Sequence, residues 1–190
     1  MQVLIAGGTG TGKSSLASAL WRGYRISGLV NTGDVREAIR AVADPTSNPE
    51  LFQDGASSLP AVVRYQQQAT TVLRATGSVL RRLASPNTLS GAEGMHLLPE
   101  VLDGVDPEST QVIVIRQPDR ATHESRLTER GGSEGRRQWA KYAELFDGIR
   151  EIGDYIEQSW TAAPNPNVHL VGSVNEGLAA LAPRVAAFLR

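Results

Sequence analysis

The apolar residues of this chain follow two alternating patterns. Short continuous runs, typical of strands buried in a sheet, occupy residues 2–6, 25–31, 88–92, 111–115 and 168–171. Between them, apolar residues recur at intervals of three and four, which predicts helices at residues 14–21, 38–42, 60–83, 139–156 and 174–189. Because strands and helices alternate along the whole chain, we predict an α/β fold of three layers, with a parallel sheet covered by helices on both faces.

Length and composition limit the class of protein. The chain has 190 residues, and we expect residues 1–190 to form a single domain. The formal net charge is −1, so no general basic field is present to attract nucleic acid. The absence of cysteine excludes disulfides and cysteine-based zinc sites. No apolar stretch reaches the length of a membrane span, and the chain begins on a strand without a signal peptide, so we expect a cytoplasmic protein. We expect it to be a monomer or a homodimer.

Residues 7–14 carry the clearest chemical signal and are called the P-loop below. Their sequence, Gly-Gly-Thr-Gly-Thr-Gly-Lys-Ser, matches G-x-x-x-x-G-K-[ST] at every position and lies between a strand and a helix, as the motif requires. Glycines let the backbone curl so that its N–H groups point inward, and the helix start adds its positive end. We predict a nucleoside triphosphate site formed by Gly8, Thr9, Gly10, Thr11, Gly12, Lys13, Ser14 and Ser15. Lys13 should contact the β- and γ-phosphates, and the Ser14 hydroxyl should ligate Mg²⁺.

Further candidates follow other predicted strands. In open α/β sheets, ligands bind beyond the carboxyl ends of the strands, which is where Asp34 and Arg36 follow the second strand. A structural alternative makes Asp34 the N-cap of the next helix and Arg36 a solvated helix residue. Glu93 falls at the carboxyl end of the third strand, and residues 172–175, after the fifth, are a candidate segment near the nucleotide base.

Arginines are concentrated after the fourth predicted strand. Two helical pieces flank a glycine-rich segment at residues 131–135, and five arginines surround it: Arg120, Arg126, Arg130, Arg136 and Arg137. Guanidinium groups bind phosphate bidentately, and a closing segment excludes water that would compete as acceptor. We predict a mobile, Arg-rich helical lid at about residues 119–137. The alternative is a charged surface loop with ion pairs such as Arg126 with Glu129, and His123 is interpreted as a surface or capping residue.

Several stretches together resemble the 2-phosphoglycerate kinases, a family of P-loop kinases. The matching stretches are residues 7–14, 32–37, 93–99, 123–127 with Arg130, and parts of 141–152. They occur in the family's order and cover nearly the whole chain. The stretch Glu93-Gly94-Met95-His96-Leu97-Leu98-Pro99 is the most particular of them. The Thr-Gly-Asp segment at residues 32–34 is also similar to adenylate kinase.

The resemblance implies the P-loop NTPase fold with a five-stranded parallel sheet of order 2-3-1-4-5. It also implies a lid, Mg²⁺, and transfer of a phosphoryl group from ATP to 2-phosphoglycerate. Asp34 would orient or deprotonate the acceptor hydroxyl, and Glu93 would share that role or hold Mg²⁺ through water. Arg36, His96 and Arg137 would contact the anionic acceptor. Lys13, Arg126 and Arg130 would neutralise the transferring group.

Three alternatives stay open for the function. The first is a kinase for another small hydroxyl compound, such as a sugar, a nucleoside or an intermediate of specialised metabolism. The second is a polynucleotide 5′-hydroxyl kinase, against which the lack of a basic stripe argues. The third is a non-catalytic nucleotide switch, although the guanine-specific pattern Asn-Lys-x-Asp does not occur in the sequence.

Overall fold

Five strands form one fully parallel sheet at the centre of the molecule. The computed structural model describes residues 1–52, 59–129 and 143–189. The strands are β1 Gln2–Ala6, β2 Ile26–Asn31, β3 Leu89–Gly94, β4 Thr110–Ile115 and β5 Val168–Val171. They lie in the order β2-β3-β1-β4-β5, and every pairing is parallel. The predicted fold class and strand order are confirmed.

Six helices connect and cover the strands in the described part of the chain. They are α1 Lys13–Gly23, α2 Thr32–Arg40, α3 Ala61–Leu83, α4 Arg120–Glu129, α5 Phe146–Ala162 and α6 Val174–Phe188. Short 3-10 helices occur at Pro49–Leu51 and Pro99–Gly104. None of the helices in these ranges is long and apolar enough to cross a membrane.

Each face of the sheet has its own apolar core. On one face, Leu4 and Val112 pack with Leu73 and Leu80 of α3 and Trp160 of α5. On the other face, Ile5 and Ile113 lie in a cluster built mainly from residues of α1 and α6: Leu16, Leu20, Leu181 and Val185. β1, β3 and β4 are buried along their whole length, and in β1 and β4 the apolar residues run continuously, which is the pattern expected of central parallel strands.

The strand register brings two polar side chains together at the carboxyl edge of the sheet. Asn31 ends β2 and pairs with Glu93 of β3, and Glu93 in turn pairs with Ile5 of β1. One residue after Ile5, β1 ends and the P-loop begins. Residues from three separate parts of the sequence therefore meet at one edge of the sheet.

Three predicted element boundaries were wrong. α2 begins at Thr32, directly after β2, because the Asn31 side chain accepts hydrogen bonds from the Gly33 and Asp34 N–H groups. β3 runs on to Gly94, so Glu93 lies within the strand. α5 begins at Phe146 after a turn at residues 144–145, whereas one helix was predicted over 139–156, of which residues 139–142 lie outside the described residues.

Candidate active site

The P-loop backbone takes conformations that favour glycine. Gly7, Gly10 and Gly12 have φ values of 142°, 79° and 107°, in the region that L-residues with a Cβ rarely adopt. A Cβ on Gly7 would lie 2.5 Å from the Ile115 carbonyl oxygen of β4. The loop therefore curls tightly against the end of the central strands, where only glycine fits.

The start of α1 supplies donors and a positive charge. Gly12 is the N-cap residue; it gives α1 no side-chain cap hydrogen bond, and the first turn of the helix holds no acidic residue. Its first N–H groups are therefore suited to an anionic ligand. Lys13 is largely buried, and its Nζ donates to the Gly8 carbonyl oxygen at 2.6 Å. The loop thus combines backbone donors with an ammonium group, as a phosphate site requires.

A cavity of about 520 Å³ opens beside this loop, within the range typical of small-molecule sites. Its lining comes from three places in the sequence: Gly10, Thr11, Gly12, Lys13, Ser14 and Ser15 of the P-loop and α1, Arg126 of α4, and Ser173, Val174 and Asn175 at the start of α6. The structure therefore brings the predicted base segment and one predicted arginine to the predicted phosphate loop.

α4 packs against the P-loop. The Leu127 side chain and the His123 ring would lie 2.9 Å and 3.0 Å from a Cβ on Gly10. Both side chains are buried. Arg126, between them in sequence, lies with its Nη1 3.5 Å from the Thr11 carbonyl oxygen. Leu127 and His123 fix α4 on the P-loop, and Arg126 therefore lines the cavity.

His123 is buried and holds the P-loop backbone through a hydrogen bond, so its interpretation as a surface or capping residue was wrong. Its Nε2 lies 2.7 Å from the Thr9 carbonyl oxygen, and Arg150 of α5 lies 3.3 Å from its Nδ1. A carbonyl only accepts and a guanidinium only donates, so the neutral ring carries its hydrogen on Nε2. Burial is the main cause that lowers the pKa of His123, which favours this neutral form.

α5 supports the loop from the same side. A Cβ on Gly8 would lie 3.1 Å from the Gly153 Cα, so the two backbones approach closely. Gln117 packs over Gly153, with its amide nitrogen donating to the Arg150 carbonyl oxygen at 3.0 Å. The loop conformation is therefore held by contacts with a helix more than 130 residues away along the chain.

A hydrogen-bond network joins the P-loop to the acceptor side of the site, which we define as residues 31–36, Glu93 and His96. Ser14 Oγ donates to Glu93 Oε1 at 3.1 Å. Asn31 Nδ2 donates to the same oxygen. Glu93 is almost fully buried, and its orientation is set by these two donors. Asn31 was not among the predicted site residues, although an Asn between a strand and a helix is a recognisable N-cap signal.

Asp34 and Arg36 lie on α2, beside this network. Asp34 occupies the first turn of α2 and is exposed, while Asn31 is the N-cap, so the alternative interpretation of Asp34 as the cap was wrong. The Arg36 side chain is only 22% exposed, and its Nε lies 3.9 Å from Glu37 Oε1. Burial is the main cause that lowers the pKa of His96, and the positive charges of Arg36 and Lys13 add to it, which indicates that all three residues lie in one region.

His96 is a buried residue with both ring nitrogens occupied. Its Nε2 lies 2.9 Å from Gln68 Oε1, and its Nδ1 lies 3.2 Å from Thr32 Oγ1. Gln68 donates its amide hydrogens to the Glu50 carbonyl oxygen, so its Oε1 accepts from His96 and the Thr32 hydroxyl donates to Nδ1. Burial lowers the pKa of His96 to about 4. His96 therefore connects α2 to α3, and direct contact with an acceptor stays a prediction.

The remaining lid candidates fall outside the described residues. Arg130, Arg136 and Arg137 lie in residues 130–142, so their predicted phosphate and acceptor contacts stay predictions. Arg120 is described and does not line the cavity; its Nη1 lies 2.8 Å from Asp147 Oδ1, and its guanidinium lies over the Phe146 ring. Of the five arginines, Arg126 is the one that the described structure places at the P-loop cavity.

The donor set fits ATP with Mg²⁺. The glycine cradle, the uncapped start of α1 and Lys13 suit a polyphosphate. Within the described ranges, no group of three or more His, Cys, Asp or Glu side chains is arranged to hold a metal ion by itself. Mg²⁺ in nucleotide sites takes few protein ligands and completes its shell with phosphates and water, so Ser14 Oγ with Glu93 behind it is a sufficient protein contribution.

Proteins named 2-phosphoglycerate kinase are similar to this chain. The protein from Pyrococcus furiosus is 25% identical over 164 residues, which covers 81% of this chain and 54% of the relative. The protein from Methanothermobacter thermautotrophicus is 23% identical over 174 residues, with coverage of 82% and 56%. The chain thus spans about half the length of the curated relatives it matches. The predicted resemblance is confirmed, although no protein-family model matches the chain.

Solved structures of kinases share the fold. A gluconokinase from Sinorhizobium meliloti 1021 has a TM-score of 0.62 at 15% identity, covering 98% of this chain and 94% of that one. A sugar kinase from Janibacter sp. HTCC2649 has a TM-score of 0.60 at 13% identity, covering 99% and 93%. Shikimate kinase from Aquifex aeolicus has a TM-score of 0.53 at 16% identity, covering 97% and 98%. The chain therefore has the fold of P-loop kinases.

Proposed function

We propose that this chain is an ATP-dependent kinase that transfers the γ-phosphoryl group to a hydroxyl of a small anionic metabolite, 2-phosphoglycerate or a related compound. The observation that carries the proposal is the contact of Ser14 Oγ with Glu93 Oε1 at 3.1 Å. This contact connects the P-loop to the acceptor side of the site, whose residues lie mainly on α2 and β3. A site with these two halves suits transfer between two bound substrates better than binding of a nucleotide alone.

The nucleotide half would position the phosphates. The P-loop N–H groups and Lys13 hold the β- and γ-phosphates, while Arg126 balances charge on the transferring group. Ser14 would hold Mg²⁺, which would supply Lewis-acid stabilisation of phosphate charge. Because the Ser14 hydrogen is donated to Glu93, the hydroxyl lone pairs are left available to ligate a metal ion.

The acceptor half would activate and hold the second substrate. Glu93 Oε1 already accepts two hydrogen bonds, from Ser14 and Asn31, which suits a residue that orients its neighbours. Asp34 is exposed at the start of α2, so it is our choice as the group that orients or deprotonates the acceptor hydroxyl. Arg36 would bind the acceptor's phosphate or carboxylate. His96 would hold α2, the helix that carries Arg36, through its contact with Thr32.

The identity of the acceptor rests on the relatives. They are named 2-phosphoglycerate kinase, at 25% identity and over about half their length, and the motif at residues 93–99 points the same way. Arg130 and Arg137 would complete the contacts to the transferring group and to the acceptor. We extend the proposal to related anionic hydroxyl compounds because Arg36 recognises a charge more than a particular carbon skeleton.

ADP release with Mg-ATP across a panel of acceptors tests the proposal. The panel contains 2-phosphoglycerate, 3-phosphoglycerate, gluconate, a nucleoside and a short 5′-hydroxyl oligonucleotide. Strong stimulation by 2-phosphoglycerate is the expected result. Stimulation by another small compound would change the acceptor and retain the kinase, whereas tight, salt-sensitive oligonucleotide binding would favour a polynucleotide kinase. Mg-ATP binding without transfer to any acceptor would contradict the proposal and indicate a nucleotide switch.

A further inference from the structure

Asn31 uses both ends of its amide, and the two ends contact different parts of the site. Its Oδ1 accepts from the Gly33 N–H at 2.7 Å and from the Asp34 N–H at 3.1 Å. Its Nδ2 donates to Glu93 Oε1, the oxygen that also accepts from Ser14. The short Asn31 side chain therefore connects α2, which carries Asp34, with the Glu93 carboxylate, which accepts from the Ser14 hydroxyl.

The surrounding backbone supports this arrangement. Asn31 and Glu93 are register partners on β2 and β3, so the amide reaches the carboxylate directly across the sheet. A Cβ on Gly33 would lie 2.8 Å from Asn31 Oδ1, so a residue larger than glycine there would crowd the cap. The position of the amide is thus set by the strand pairing on one side and by Gly33 on the other.

We propose that Asn31 is a positioning residue for phosphoryl transfer, which fixes the acceptor helix α2 relative to Glu93 and Ser14. This inference rests on the proposed function. An amide suits the role because it has an acceptor and a donor at the end of a short stem. Aspartate has the same shape and caps a helix equally well, but it has no donor for Glu93. Asn31→Asp therefore removes the donor to Glu93 while it keeps the acceptor that caps α2.

The first experiment compares Asn31→Asp with Asn31→Ala in the full chain. Asn31→Asp retains the α2 cap but brings a second carboxylate against the buried Glu93, so we expect its Tm to fall and Glu93→Gln to relieve that fall. Its kcat with the acceptor should fall about 10- to 100-fold, with an ATP KM within about threefold, because the loss concerns the alignment of bound groups. Asn31→Ala should lose the cap as well, with Tm lower by about 2–6 °C. Asn87→Asp, at an exposed turn, is the control for the added charge.

A double-mutant cycle tests the contact itself. Glu93→Gln in the Asn31→Asp background exchanges donor and acceptor, so the carboxylate introduced at position 31 would accept from the amide introduced at position 93. Although Glu93→Gln alone is expected to slow turnover, adding Asn31→Asp to it should cost less than about threefold in kcat, against about 10- to 100-fold in the wild-type background. The Tm values should be non-additive in the same direction.

Two results would overturn the inference. If Asn31→Asp turns over within twofold of the wild type, Asn31 is only a helix cap. If the two substitutions have independent effects on both kcat and Tm, Asn31 does not act through Glu93. Failure of the proposed function gives a different pattern: the wild-type chain would transfer to no acceptor, while the coupling in Tm between residues 31 and 93 would remain.

Discussion

The nucleotide side and the acceptor side of the site are held in place by different means. The nucleotide side is a continuous loop whose shape follows from its glycines and whose position is fixed by α4 and α5. The acceptor side is assembled from β2, α2, α3 and β3 through polar side chains. The difference indicates that substitutions on the nucleotide side should affect ATP binding, whereas those on the acceptor side should affect transfer.

Each side contains a buried neutral histidine. His123 accepts from Arg150 and donates to the Thr9 carbonyl oxygen, so it fixes the P-loop. His96 accepts from Thr32 and donates to Gln68, so it fixes α2 against α3. Burial lowers the pKa of both rings. Neither histidine has a free ring nitrogen in this structure, which argues for holding backbone elements in place and against proton transfer.

The largest expected effect comes from Lys13 on the nucleotide side. Lys13→Ala removes the ammonium group from the loop, and we expect kcat/KM for ATP to fall about 1,000-fold, with a large rise in ATP KM, because the bound phosphates lose a cation of the P-loop. The measurement is ADP release with saturating acceptor, with circular dichroism to verify folding. Arg22→Ala, near the end of the same helix, is the control and should keep wild-type turnover. Unchanged turnover in Lys13→Ala would show that phosphates do not bind at this loop.

Asp34→Asn tests the acceptor side by the opposite pattern. We expect kcat to fall about 100-fold or more, the range for loss of a general base, with an ATP KM within about threefold of the wild type. Steady-state kinetics with both substrates varied separate the two constants. Asp44→Asn, in the exposed loop after α2, controls for the loss of a carboxylate. A normal kcat would move the base role to Glu93, and a large rise in ATP KM would contradict the division between the two sides.

The sequence predicted the nucleotide side well because its information is local. Strand, glycines, lysine and helix all occur within the first 23 residues, so each position could be interpreted from its neighbours. The alternation of elements predicted a parallel sheet, and the family resemblance implied the strand order that the structure has. His123 was misinterpreted because its burial depends on Thr9 and Arg150, which are 114 and 27 residues away.

The acceptor side was predicted less completely because it depends on register. Glu93 and Asp34 were identified from their places near strand ends, but Asn31 needs the pairing of β2 with β3 to acquire a second partner. His96 was expected to contact an acceptor, and its two protein partners come from α2 and α3, which the sequence does not place around it. The first part of the predicted lid, α4, packs on the P-loop. The rest falls on residues 130–142, which lie outside the described residues, so it stays a prediction.

Arg126→Ala should have a moderate effect on the nucleotide side. A charge-assisted hydrogen bond to phosphate contributes about 1.5–3 kcal/mol, so we expect the ATP KM to rise about 10-fold or more. Arg120→Ala is a matched control on the same helix, because Arg120 pairs with Asp147 at the surface and should change KM less than about twofold. Equal effects of the two substitutions would mean that α4 acts through its overall charge rather than through Arg126 at the cavity.

His96 is expected to affect stability and its pH dependence rather than turnover. Its pKa is about 4 in the folded chain against 6.5 for an ordinary histidine, so the unfolded chain binds more protons between these values. Stability contributed by the neutral ring is therefore complete above pH 6.5 and is lost as the pH falls towards 4. The loss is on the order of 3 kcal/mol.

Urea unfolding of the wild type and His96→Gln across this pH window measures the loss of stability. We expect a flatter pH dependence for the variant, with the partly exposed His169→Gln as control. Equal slopes in the wild type and His96→Gln would show that the ring is not held neutral by burial, which would contradict the role of a neutral His96 in fixing α2 against α3.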